Sequence, residues 1–288
     1  MIIPSFLIFS ILVLGVKSVA VSTSAKYTSF SALGDSWASG AGPYKIDGSA
    51  GPDCARTMAS YPFQLNQKFA SKGSTFQFLA CGGTNTTQIE EQTQSPDFGR
   101  PDFITIDGGG NDMGYVSQLV EDCILAAGLL NTTAYTALCN EFISQTSPSI
   151  ESTIHTRLDN MIAAAKSVNP PVGKARHIVI TGYATPYNIN GNPKNCPTTF
   201  PDIPLGSGKM ADKINQSVVG LNNIIKTAAT NNAIAYADID AAFQGHRLCD
   251  SGELYFQTDE SVAGTALMHP TADGYMAMVS AVEKAMNW

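Results

Sequence analysis

Five segments along the chain have the hydrophobic pattern of buried strands, several of them short apolar runs rich in β-branched or aromatic residues. We predict strands at Thr28–Leu33, Phe76–Ala80, Phe103–Asp107, His177–Gly182 and Ala233–Asp238. Between them the apolar residues recur at helical spacing. This pattern predicts helices at Tyr61–Ser71, Gln145–Val168, Lys209–Thr230 and Thr271–Met286. Strands that alternate with helices favour a parallel sheet covered on both faces.

Glycine and small polar residues stand directly after three of these strands. They are Gly34-Asp35-Ser36, Cys81-Gly82-Gly83 and the run from Gly108 to Asp112. Ligands of parallel α/β sheets bind at the carboxyl ends of the strands. We therefore expect a site at this edge, with the Pro-, Asn- and Gly-rich loop Tyr183–Lys209 as a candidate wall.

The N-terminus is an apolar run that ends in small residues, MIIPSFLIFSILVLGVKSVA. It is typical of a secretory signal peptide, because the run is short for a membrane span and Lys17 interrupts its end. We predict cleavage near Ala20, which leaves residues 21–288 as a single domain. An uncleaved anchor is the alternative.

The composition narrows the possible partners. The net charge is -7, and only 14% of the residues are charged, well below the usual quarter. An acidic chain without basic clusters lacks the electrostatic signature of nucleic-acid binding or of an anionic membrane surface. We expect a monomer with no nucleic-acid partner and no stable membrane insertion.

Six cysteines and three N-x-S/T sequons fit an exported protein. An even number of cysteines in a secreted chain indicates three disulfides, for which sequence alone leaves 15 pairings open. No C-x-x-C pair is present, so we do not expect a zinc site. The candidate glycosylation sites are Asn85, Asn131 and Asn215.

Ser36 is the first candidate for chemistry. A serine nucleophile needs a base for its proton and donors for the oxyanion that forms. Gly34 would allow a sharp turn after the strand, and Asp35 could bond nearby backbone. The stretch is close to a G-x-S-x-G elbow, but position 38 is Ala, and Ser36 follows the first strand, which argues against the α/β-hydrolase fold. An ordinary Asp-Ser turn is the alternative.

The chain has four histidines that could serve as the base. His155 lies in a helical run, and His177 opens a strand at the wrong edge of the sheet. His246 lies in a loop and stays an open candidate. His269 precedes the last predicted helix, in a loop expected near the end of the first strand, and is the strongest candidate.

Gly83 and Asn111 follow two other strands and could donate N–H groups to an oxyanion together with the Ser36 N–H. The alternative is that these glycine runs are only tight turns. A dinucleotide site at Gly108–Gly110 fails the G-x-G-x-x-G pattern, because position 113 is Met.

The order of these residues resembles that of the SGNH (GDSL-type) hydrolases, most closely the secreted microbial lipases and esterases. Four motifs carry the resemblance: FSALGDS ending at Ser36, ACGGT around Gly83, GGND around Asn111, and His269-Pro270. The resemblance implies a three-layer α/β/α flavodoxin-like sandwich with a central, mainly parallel five-stranded sheet. It also implies hydrolysis of carboxylic esters through an acyl-enzyme, with no cofactor and no metal.

The same resemblance implies roles for individual residues. Ser36 would be the nucleophile and His269 the general base and then acid. The Ser36 N–H, the Gly83 N–H and the Asn111 side chain would form the oxyanion hole, with Gly83 favoured over Gly82. The implied disulfides are Cys54–Cys81, Cys123–Cys139 and Cys196–Cys249.

One position departs from the family pattern, which usually has an acid three residues before the histidine. Position 266 is Ala. Our hypothesis is that the Ala266 carbonyl accepts a hydrogen bond from His269 Nδ1–H; the rivals are Asp259 or Glu260, and more weakly Asp273. The missing acid also supports an alternative function, a catalytically dead scaffold that binds glycans or another ligand. A peptidase with the same site is a third, weaker reading.

Overall fold

The computed structural model describes residues 26–48, 52–126, 132–197, 203–258 and 268–288. The predicted signal peptide, residues 1–20, lies outside these ranges, as does the sequon at Asn131.

The centre of the fold is a sheet of five strands in the order β2-β1-β3-β4-β5. Its strands are β1 (Ser29–Gly34), β2 (Thr75–Phe78), β3 (Phe103–Asp107), β4 (His177–Thr181) and β5 (Ala235–Ala237). Every neighbouring pair is parallel. This is the flavodoxin-like strand order, so the predicted fold class is confirmed.

Three strands are shorter than the sequence pattern predicts: β4 ends one residue early, at Thr181, and β2 and β5 are shorter for local reasons. The Ala32 carbonyl accepts from both the Leu79 and the Ala80 N–H, which ends the regular ladder of β2 at Phe78. Ala233 has a φ of 50°, in the left-handed region, so β5 begins only at Ala235.

Nine α-helices cover the sheet in the described residues. They are α1 (Ser36–Ser39), α2 (Tyr61–Phe69), α3 (Thr86–Gln92), α4 (Tyr115–Gln118), α5 (Thr132–Glu141), α6 (Ser147–Ser167), α7 (Met210–Asn231), α8 (Ile239–Ala242) and α9 (Ala272–Met286). The remaining helical turns are 3₁₀ at Pro52–Cys54, Pro96–Phe98, Asp112–Gly114 and Pro193–Asn195, and π at Leu119–Leu125 and Phe142–Thr146.

The helices form two layers. Helices α2 and α9 pack on each other, and α6 packs on both α3 and α7. Right-handed crossovers between parallel strands place α2 on one face of the sheet and α3, α6 and α7 on the other, and α9 lies on the same face as α2 because it packs on that helix. None of the described helices is both long and apolar enough to span a bilayer.

The structure forms three disulfides, Cys54–Cys81, Cys123–Cys139 and Cys196–Cys249, which is the pairing that the family resemblance implied. Cys54–Cys81 ties the loop after β2 to a 3₁₀ turn. That loop carries Gly82 and Gly83, so the disulfide braces one side of the expected site.

Asn215 does not suit the glycan that its sequon suggested. It lies in α7 with 8% of its surface exposed. Its Oδ1 accepts from the Tyr187 N–H at 3.1 Å, and its Nδ2 donates to the Tyr187 carbonyl at 2.8 Å. A glycan would be attached at that buried nitrogen, so we withdraw Asn215 as a candidate.

Candidate active site

A tight turn at the end of β1 presents Ser36. Gly34 has a φ of 143°, and a Cβ there would lie 2.6 Å from the Asp107 carbonyl oxygen. Only glycine fits so close an approach. Asp35 then caps α1, because its carboxylate accepts from the Trp37 N–H at 2.9 Å. As a result Ser36 is partly exposed, while Asp35 and Trp37 on either side of it are buried.

His269 lies against this serine. Its Nε2 is 2.7 Å from Ser36 Oγ, which is hydrogen-bonding distance. The loop that holds it ends at Thr271, whose hydroxyl caps α9 by accepting from the Gly274 N–H. In this arrangement the imidazole can take the serine proton without any rearrangement.

The other three histidines lie elsewhere. His155 is exposed on α6, and His177 is exposed at the amino end of β4. His246, which the sequence left open, stacks on the Tyr255 ring, and its Nδ1 pairs with the Glu253 carbonyl.

Two backbone N–H groups near the serine are available to an oxyanion. Within the described residues, neither the Ser36 N–H nor the Gly83 N–H has an acceptor. Gly83 is exposed and adopts a φ of 79°. The Gly82 N–H, by contrast, donates to the Cys54 carbonyl at 3.0 Å. This geometry agrees with Gly83 rather than Gly82 as the donor.

Asn111 is held beside the same turn. Its Nδ2 donates to the Thr84 carbonyl at 3.1 Å and lies 3.4 Å from Asp35 Oδ2. The second contact is long for a hydrogen bond, so this N–H is weakly engaged. Because Thr84 follows Gly83, its hydrogen bond with Asn111 holds the Asn111 side chain against the loop that carries Gly83.

A buried polar network lies beneath these groups, and it includes Tyr183, Asp107 and Thr181, which were not among the predicted catalytic residues. Asp35 Oδ2 accepts from the Tyr183 hydroxyl at 2.7 Å, and the same hydroxyl accepts from the Gly110 N–H at 3.1 Å. Asp107 accepts from Thr181 at 2.5 Å. The available sequence signal was that Asp35 and Asp107 end strands that must be neighbours if the sheet is flavodoxin-like.

Asp107 is a fully buried acid next to another acid. Burial, and after it the negative charge of Asp35, raises the pKa of the Asp107 carboxyl well above its ordinary value. The site therefore favours the neutral form of Asp107. Burial also holds the pKa of the Tyr183 hydroxyl well above 10, so Tyr183 stays a donor to Asp35.

An apolar cleft is lined by the chain neighbours of the serine and the histidine. Its cavity is about 60 Å³, and its walls include Trp37, which follows Ser36, and Met268, which precedes His269. Ile214, Val218 and Leu221 of α7 form another wall. A larger cavity, of about 380 Å³, lies at the amino end of β4 beside His177, away from the strand ends where ligands of such sheets bind.

Of the residues proposed to orient His269, only Asp273 lies within the described part of the chain. Ala266, Asp259 and Glu260 lie outside the described residues, so the carbonyl hypothesis stays a prediction. Asp273 is exposed in the first turn of α9. In the described part of the chain, no group of three or more His, Cys, Asp or Glu side chains could hold a metal ion.

Comparison with known proteins identifies the family of the chain. Residues 32–277 match the GDSL-like Lipase/Acylhydrolase family. The chain belongs to this family. It is 28% identical to a lipase of Streptomyces rimosus over 86% of this chain and 82% of the lipase. The family and these relatives make it a carboxylic ester hydrolase.

Two solved structures of bacterial enzymes share the fold. The extracellular lipase of Streptomyces rimosus aligns with a TM-score of 0.69 and 26% identity, over 90% of this chain and 99% of that one. Phospholipase A1 of Streptomyces albidoflavus aligns with a TM-score of 0.70 and 26% identity, over the same shares of the two chains.

The neutral state of Asp107 can be tested by replacing it with asparagine. Because the raised pKa keeps this proton on the folded protein above the pH at which the unfolded chain loses it, the contribution of Asp107 to the free energy of unfolding falls as the pH rises above about 4. Asp107→Asn is neutral throughout and lacks that fall. We expect the free energy of unfolding of the variant to rise relative to that of wild type between about pH 4 and pH 8, by at most about 1.4 kcal/mol per pH unit.

Urea unfolding with the disulfides intact measures this difference. At pH 4, where both side chains are neutral, the two proteins serve as each other's control and should have similar free energies of unfolding. A difference that stays constant from pH 4 to pH 8 would show that Asp107 is ionised in the folded state.

Proposed function

We propose that Ser36 and His269 carry out the ester hydrolysis, and that the preferred substrates are esters of apolar acyl chains. The observation that carries this proposal is the 2.7 Å contact between Ser36 Oγ and His269 Nε2, next to Trp37 and Met268 of the apolar cleft. Burial of methylene groups in such a cleft favours binding by about 0.8 kcal/mol for each CH₂. Among the described residues, the cleft lining includes no charged side chain to bind an ionic group.

Acylation begins when Ser36 Oγ attacks the ester carbonyl carbon and its proton passes to His269 Nε2. The carbonyl oxygen becomes an oxyanion, which the Ser36 and Gly83 N–H groups and the Asn111 amide stabilise. As the intermediate collapses, the C–O bond to the alcohol breaks. The leaving oxygen takes the proton from the imidazolium, and the acyl group remains on Ser36.

Deacylation repeats these steps with water. His269, again neutral, removes a proton from water as it attacks the acyl carbon, and the same donors hold the second oxyanion. Ser36 leaves with the proton from His269, and the carboxylic acid departs. We propose that the Ala266 carbonyl accepts from His269 Nδ1–H and so selects the tautomer that this cycle requires.

We also propose that the enzyme is secreted as a monomer, with residues 1–20 removed and 21–288 as its domain. The three disulfides and the extracellular relative support secretion. Asn85 is a compatible glycan site: its Oδ1 caps α3 by accepting from the Gln88 N–H, while a glycan would occupy Nδ2. Asn131 remains a candidate from its sequon alone. We expect no nucleic-acid partner.

The catalytic pair is tested with p-nitrophenyl esters from acetate to palmitate. We expect Ser36→Ala and His269→Gln each to lower kcat by at least about 10³-fold, because removal of a member of such a pair leaves only oxyanion stabilisation and binding. The secreted variants should melt within a few degrees of wild type. Equal turnover by wild type and Ser36→Ala would instead favour the binding-scaffold alternative.

The oxyanion role of Asn111 predicts an effect on kcat rather than KM. We expect Asn111→Ala to lower kcat by about 10² to 10³-fold, since the amide acts where charge develops in the transition state. Asn232→Ala removes an amide from the distant carboxyl end of α7 and is the control. A fall confined to KM would assign Asn111 to ground-state binding.

The role of the cleft predicts opposite shifts in chain-length preference. Val218→Phe narrows the cleft and Leu221→Ala widens it. We expect the decanoate-to-acetate ratio of kcat/KM to fall about tenfold in the first variant and to rise or hold in the second. Val172→Phe is the matched control, because Val172 is 82% exposed. An unchanged ratio in Val218→Phe would place the acyl chain elsewhere.

A further inference from the structure

Gln257 is a buried amide that joins two loops of the site. Only 6% of its surface is exposed. Its Nε2 donates to the Ala41 carbonyl at 2.9 Å and to the Pro270 carbonyl at 2.8 Å. One of these carbonyls follows the helix of the serine, and the other follows the histidine.

The backbone of Gln257 also holds the histidine loop. Its N–H donates to the His269 carbonyl at 2.8 Å, and its carbonyl accepts from the Met268 N–H at 3.4 Å. Phe256 and Pro270 form an antiparallel bridge beside these bonds. Residues 256–257 therefore act as a short strand along which the histidine loop is aligned.

A single hydrogen bond connects Ala41 to the serine. The Ala41 N–H donates to the Ser36 carbonyl at 3.0 Å. A closed ring of contacts thus runs from Ser36 through Ala41 and Gln257 to His269, and back across the 2.7 Å contact to Ser36. In this ring Gln257 is the only member that belongs to neither loop.

One atom of the Gln257 amide lacks a hydrogen-bond partner among the described residues. Gln257 Oε1 is buried and has no donor within the described residues. An unpaired buried acceptor is destabilising, and methionine would fill a similar volume without one. The amide does provide two N–H donors at one point, which methionine and glutamate cannot.

We propose that Gln257 is a positioning residue that sets the contact between His269 and Ser36. It acts through the two loops and contacts neither the substrate nor Ser36 Oγ. The inference rests on the proposed roles of these two residues in ester hydrolysis. A misplacement of about 1 Å at a reacting group can cost about 10²-fold in rate, so loss of the two donors should be visible in turnover.

The experiment compares Gln257→Met and Gln257→Glu with wild type on p-nitrophenyl butyrate from pH 5.5 to pH 9. We expect both to lower kcat about 10- to 100-fold at pH 8, with KM within about twofold, because the cleft is untouched. The glutamate variant should recover relative to wild type at low pH. A protonated carboxyl can donate to one of the two carbonyls, whereas a carboxylate repels both.

Asn215→Asp is the matched control, because its amide is also buried and also donates to a carbonyl, at Tyr187. It should lower stability without a selective fall in kcat. Either of two results overturns the proposal: kcat of both Gln257 variants within about twofold of wild type, or an equal fall in kcat in Asn215→Asp.

A crystal structure of Gln257→Met tests the geometry without turnover. We expect the distance from His269 Nε2 to Ser36 Oγ to exceed 3.5 Å, and an unchanged 2.7 Å would contradict the proposal. If wild type itself showed no Ser36-dependent hydrolysis, the proposed catalytic roles of Ser36 and His269 would fail. The distance measured in the crystal would still decide whether Gln257 positions His269 against Ser36. Should the methionine variant not fold, Gln257→Glu crystallised at pH 8 answers the same question.

Discussion

The close approach of β1 and β3 at their carboxyl ends is the constraint on which the site depends. Gly34 pairs with Asp107 in the ladder, and the space between them excludes even a Cβ. The chain must turn at once, since the Asp35 N–H already bonds the Asp107 carbonyl. That turn starts α1, places the Ser36 hydroxyl at the edge of the sheet and puts Asp35 where Tyr183 and Asn111 can reach it.

The same approach creates an electrostatic problem. Two acids end neighbouring strands, both are buried, and no basic side chain bonds either of them among the described contacts. Two adjacent buried anions would repel each other strongly at the low effective dielectric of the interior. The raised pKa of Asp107 favours its uncharged form, and Tyr183 and Trp37 satisfy the other acid with hydrogen bonds. The network can therefore be rigid without a counter-ion beneath the oxyanion donors.

Sequence reasoning succeeded where the signal was local or came from motifs in order. Apolar runs located all five strands, and helical spacing located α2, α6, α7 and α9. It missed α3, because two turns are too short for a clear period and the helix depends on the capping box of Asn85 and Gln88. The role of Gln257 was also missed, because a lone glutamine forms no recognisable motif. Its hydrogen-bond partners lie 216 and 13 residues away in the chain.

Substitutions in the walls of the cleft fall into two groups: those next to the catalytic residues in the chain, and those on α7. Trp37 and Met268 are chain neighbours of Ser36 and His269, and Met268 is held in left-handed backbone with a φ of 66°. A change at either position alters the backbone that carries the chemistry along with the shape of the cleft. Ile214, Val218 and Leu221 lie on one face of α7, four and then three residues apart, and none of them is a chain neighbour of Ser36 or His269. Acyl specificity can therefore change on α7 while the geometry of Ser36 and His269 is preserved.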